Sequence, residues 1–118
     1  MKWYISKIVF QIICGDGQHT AQFDEQLRLI EAADAEAAFH KATALGLSEA
    51  ETFYNQKEQL VQWKFIDVSD LYHLSLIDSG ELVSKIEEVT DAEDYIRLVH
   101  SKSEQIQQKY RQKSLQLL

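Results

Sequence analysis

The sequence predicts an α+β fold: a largely antiparallel sheet of four to five strands with two helices, in the order strand, strand, helix, strands, helix. Three observations lead there. Lys2 to Cys14 alternates with apolar residues on both faces, Ala35 to Leu45 and Ala92 to Ile106 carry apolar residues at helical spacing, and most of Thr52 to Val89 returns to a period of two. The absence of proline and of any internal low-complexity spacer predicts one domain over residues 1–118.

In the first strand Trp3, Ile5, Val9 and Ile13 lie on one side and Tyr4, Ile8, Phe10, Ile12 and Cys14 on the other. A strand apolar on both sides belongs in the middle of a sheet, with its second face covered by another element or another subunit. Gly15-Asp16-Gly17 breaks the pattern, and the polar stretch to Gln22 reads as a loop. Phe23 to Ala32 then alternates Phe23, Glu25, Leu27 and Leu29 against Asp24, Gln26, Arg28 and Ile30, a half-buried strand pairing antiparallel with the first.

Asp34 is placed to cap a helix whose Ala35, Ala38, Phe39, Ala42 and Leu45 share a face, and Gly46 is placed to end it. So alanine-rich a face allows close approach to a sheet. Thr52-Phe53-Tyr54 favours a short strand and Asn55-Gln56-Lys57 a turn. Glu58 to Val68 reads as a strand with Val61, Trp63 and Phe65 towards the core, while Leu60 and Ile66 interrupt its polar face. Ser69-Asp70 marks a bulge or turn before Leu71 to Leu76, and Asp78-Ser79-Gly80 supplies a hairpin turn into a further strand, Glu81 to Val89. Thr90 and Glu93 form a capping box ahead of the stripe Ala92, Ile96, Val99 and Ile106. The end of that helix, residues 105–118, reads either as a fraying polar tail or as an arm that packs on a partner through Ile106, Tyr110, Leu115, Leu117 and Leu118.

The net charge of −7 disfavours nucleic acid, whose phosphates the averaged field repels. From Ser101 onward four basic residues face one acidic, so Lys102, Lys109, Arg111 and Lys113 form the one basic segment. A single cysteine, Cys14, leaves no internal disulfide and suits a reducing cytoplasm. The N-terminal stretch lacks a secretory cleavage pattern, and no apolar run approaches the roughly 20 residues that span a bilayer, so no membrane is expected.

Trp3-Tyr4 in the first strand, Phe23-Asp24-Glu25-Gln26 in the second, and Val61-Gln62-Trp63-Lys64-Phe65-Ile66-Asp67-Val68-Ser69-Asp70-Leu71-Tyr72 later resemble the short bacterial proteins grouped as the domain of unknown function 4288 family. The resemblance runs to about His100. It implies a stand-alone, cytoplasmic bacterial domain and brings no activity, cofactor or catalytic residue with it.

The motifs that announce enzymes are missing: no phosphate-binding loop, no H-E-x-x-H, no G-x-S-x-G and no paired C-x-x-C. No cofactor and no catalytic residue is expected. Gly15-Asp16-Gly17 lacks the third glycine and the following helix of a dinucleotide loop, so it reads as a turn. The densest polar cluster is Asp16, His19, Asp24 and Glu25, an imidazole and three carboxylates around one loop. Those groups suit a divalent metal or a shared proton, which would make the chain a small metal-dependent enzyme or hydrolase. The plainer reading is a solvated loop whose carboxylates start turns. Cys14 beside His19 offers a thiolate–imidazole pair, against the plainer role of a small apolar strand residue.

Trp3, Tyr4, Tyr72 and Tyr110 are aromatics with polar tips, the types that interfaces favour. Trp3 and Tyr4 point to opposite faces of one strand, so one of them is expected on a second subunit or a protein partner. The leading expectation is a non-enzymatic protein-interaction module that forms a homodimer. Inhibition of a basic nuclease would suit its acidity.

Overall fold

The two apolar faces of the opening strand dictate the architecture. In the computed structural model, which describes residues 1–116 and side chains as far as residue 112, β1 (Lys2–Cys14) lies inside a four-stranded antiparallel sheet. Its neighbours are β2 (Gln22–Ala32) and β4 (Leu60–Leu74), and β3 (Glu51–Tyr54) forms the far edge, giving the order β2-β1-β4-β3. Two helices, α1 (Ala35–Glu49) and α2 (Ala92–Gln116), complete an α+β fold. The chain divides into two compact units, Met1–Ser84 and Lys85–Leu118. Expectations for the side chains of Lys113 and Leu115, and for Leu117 and Leu118, fall outside the described residues.

Within the first unit, one face of the sheet is the core. Tyr4, Ile8 and Phe10 of β1 and Ile30 and Ala32 of β2 are buried with Ala38 and Ala42 of α1, and Leu45, Phe65, Val68 and Leu71 pack around them. Phe10 and Phe65 meet edge to face, with ring centroids 6.1 Å apart. Asp34 caps α1, its Oδ1 accepting the Ala37 N–H at 2.8 Å, a contact worth about 1 kcal/mol. Ala38, Ala42 and Gly46 recur every fourth residue on the buried side of α1.

Gly46 does not end α1. The helix runs to Glu49 and closes with the Ala50 N–H on the Gly46 carbonyl. A methyl group at Gly46 would lie 2.5 Å from Phe65 Cε2, so glycine is there because the sheet comes that close. The sequence marked a breaker where packing required the smallest residue.

β4 is one strand where the sequence suggested two. Its register against β1 shifts twice, beside Ile66 and beside Ser69, which absorb the extra residues as bulges. The first bulge explains the interrupted polar face: Ile66 is displaced from the alternation and left exposed. The anticipated strand Glu81 to Val89 does not form, and this segment has no regular structure. Its lack of a ladder partner outweighs its β-favouring composition. In the second unit Asp91, rather than Thr90, caps α2, accepting the Asp94 N–H at 3.1 Å.

Candidate functional site

Register decides which side of β2 is buried. Lys2 lies opposite Ala32 and the pairing continues without a shift to Ile12 opposite Gln22, so even-numbered residues of both strands share the helix-covered face. β2 therefore turns Asp24, Gln26 and Arg28 towards the α1 side along with Ile30 and Ala32. Its more apolar row, Phe23, Leu27 and Leu29, faces outward, at 54%, 59% and 62% exposure. That assignment could not be read from the alternation of β2 alone, which favours burying the apolar row.

The outer face continues into β1, where Trp3 is 37% exposed and Ile5 and Val9 are half-buried. A polar belt crosses it: Lys7 Nζ stands 3.6 Å from Glu25 and 3.8 Å from Asp70, on the strands either side. Tyr72 sits opposite Ile5 and donates its hydroxyl to Asp70 at 3.3 Å. Leu74 is buried at one end of β4, whereas Gln62, Lys64 and Asp67 further along it are exposed polar residues, so the exposed apolar row of this face is the one on β2.

Trp3 and Tyr72 thus lie on this outer face. Tyr4 lies on the other side, 4% exposed within the core and 5.3 Å from the His73 ring. Tyr110 belongs to α2 and is exposed, as are Ile96, Val99 and Ile106.

The polar cluster does not converge. Asp16 starts a turn by accepting the Gln18 N–H at 3.0 Å. His19 is spent at both nitrogens: the Cys14 N–H donates to Nε2 at 3.0 Å, and Nδ1 donates to the Thr20 carbonyl at 2.8 Å. The imidazole therefore engages the Cys14 backbone and braces a loop whose Gly15 and Gly17 take positive φ. Asp24 accepts from Gln26 at 2.7 Å and from Trp63 Nε1 at 3.2 Å on the covered face, whereas Glu25 meets Lys7 on the outer face. Among the described residues no three His, Cys, Asp or Glu side chains are grouped to hold a metal ion. A shallow concavity lined by Asp16, His19 and Gln59 lies over this loop, and its groups are those already tied into turns.

At the C-terminal end of α1 the covered face carries a polar ladder that sequence reasoning missed, since Arg28 and Glu49 lie far apart in the chain. Arg28 donates to Gln26 at 3.1 Å and grips Glu49 with two bonds of 2.6 and 2.9 Å. The hydrogen bond from Arg28 holds the Glu49 carboxyl below the usual range, and the attraction of its charge adds to this.

No described helix is long and apolar enough to cross a membrane. A family model described as Domain of unknown function (DUF4288) matches residues 3–84, and the chain belongs to that family. No curated protein and no solved structure matches it.

Proposed function

We propose that this chain is a non-enzymatic protein-interaction module of a reducing cytoplasm that works as a homodimer, its contact surface centred on β2 and the apolar row that β2 turns outward. One observation carries the reading: β2 leaves Phe23, Leu27 and Leu29 more than half exposed in a single row, beside Trp3. Lateral contact that covers about half of that apolar surface is worth on the order of 2 kcal/mol, a gain that folding forgoes and association recovers. Trp3 and Tyr72 add the amphipathic aromatics that contact surfaces favour, and Lys7, Glu25 and Asp70 add charge for orientation.

The separation of Asp16, His19, Asp24 and Glu25 supports this reading over a metal-dependent hydrolase, because groups on opposite faces cannot act on one atom. Sedimentation velocity of the full chain over a wide concentration range tests the proposal. A dimer is expected, and a strict monomer at high concentration contradicts it.

A further inference from the structure

The two edges of the sheet differ in a way that selects a partner. β3, at one edge, is four residues long, and so short an edge offers little to pair with. β2, at the other, has 11 residues, no proline and an unshifted ladder to β1. An edge of this kind is a template for another strand. We infer that a second copy of this chain pairs with it, β2 antiparallel to β2, with Gln26 opposite the partner's Gln26. The inference rests on the homodimer proposed above and specifies how it is built.

Main-chain geometry narrows the register first. The Gly15 N–H donates to the Leu60 carbonyl of β4, so the even-numbered residues of β1 and of β2 bond to each other and the Glu31 carbonyl points away from β1, where Lys41 Nζ donates to it at 2.9 Å. In an antiparallel ladder the direction alternates, and the unshifted register carries it to Phe23, Glu25, Leu27 and Leu29. Both copies therefore present odd-numbered residues to each other. Only pairings of odd with odd and even with even form the ladder.

Side chains choose among those. A centre at Glu25 or at Arg28 sets like charges face to face. A centre at Leu27 puts the Phe23 ring opposite the partner's charged Glu31 and asks the Glu31 carbonyl to accept a ladder bond besides the one from Lys41. The centre at Gln26 has none of these faults. It sets Asp24 against the partner's Arg28 twice, on the covered side, and Phe23 against the partner's Leu29 twice, on the outer side. Asp24 and Arg28 keep their existing bonds, since a carboxylate accepts about four hydrogen bonds and a guanidinium donates about five. Glu25 and Leu27 pair across as hydrogen-bonded neighbours, and the ladder supplies roughly eight main-chain bonds.

This pairing is closed, because each copy uses its one long edge and leaves only β3 free. It is also face-preserving. The two rows of Phe23, Leu27 and Leu29 merge on the same side into one apolar strip, with α1 of both copies on the other.

The test is a thiol placed at the centre of the register. In the full chain carrying Cys14→Ser, which removes the one native thiol, Gln26→Cys sits at a non-hydrogen-bonded pair, where Cα atoms come within about 4.5 Å and a disulfide closes. Mild oxidation is expected to link most chains covalently. Glu31→Cys in the same background, beyond the paired span, is expected to stay unlinked. A chain that sediments as a dimer but fails to link at Gln26→Cys, or links equally at Glu31→Cys, overturns this register and leaves the interaction module standing. A chain that sediments only as a monomer overturns both.

Discussion

The two faces of the sheet in residues 1–84 are built from the same three long strands and serve opposite ends. On the face under α1, small residues draw helix and sheet together until a methyl at Gly46 would collide with Phe65. On the other face Phe23, Leu27 and Leu29 stand in the open. Apolar content does not separate the two sides, since β2 turns its greasier row outward. The contrast teaches that burial here follows β1, whose Tyr4, Ile8 and Phe10 take the helix, and that β2 inherits its facing through the register.

The widest test of that contrast compares truncations on either side. Phe10→Ala is expected to cost about 3–5 kcal/mol in urea unfolding, because the ring is fully buried against α1 and Phe65. Leu29→Ala, measured where the chain is monomeric, is expected to change stability by under about 0.5 kcal/mol. Equal costs would erase the distinction between the faces.

Gly46→Val probes how tightly the covered face is closed. A branched side chain so near the Phe65 ring is expected to cost about 2–3 kcal/mol by the same unfolding measurement. Ser6→Ala sharpens the point in the other direction. Ser6 is fully buried and its Oγ has no hydrogen-bond partner, so removing the hydroxyl is expected to stabilise by about 1 kcal/mol. A loss of stability would mean the hydroxyl has a use that the packing does not reveal.

The smallest expected effect lies at the border of the covered face, in the pair of Arg28 and Glu49. The folded Glu49 carboxyl titrates below its ordinary range, so its contribution is complete above the unfolded value and is lost as pH falls through the depressed one. Glu49→Gln is expected to flatten slightly the acid limb of a stability–pH curve. Solvent exposure of the pair keeps the change small.

Much of this fold was legible in the chain because local rules and tertiary structure agree. The limits of β1, its place inside the sheet, the Asp34 cap and the Asn55 turn all follow from period, capping and turn chemistry. Asn55 Oδ1 accepts the N–H groups of Lys57 and Gln59 there. What was not legible depends on a neighbour. Gly46 looks like a breaker until Phe65 is brought against it, and Glu81 to Val89 has strand-like residues but no ladder to join. The candidate site divides in the same way. Trp3 and Tyr72 were chosen by residue type alone, whereas the outward facing of Phe23, Leu27 and Leu29 emerges only from the register.

The central claim, that β2 and the apolar row it carries are kept for a second copy, is tested most directly by the dimer dissociation constant with and without Leu29→Asp, read by sedimentation equilibrium. A charge in that row, facing the partner's Phe23, is expected to weaken the dimer by at least about tenfold, equivalent to about 1.4 kcal/mol. An unchanged constant would contradict the account.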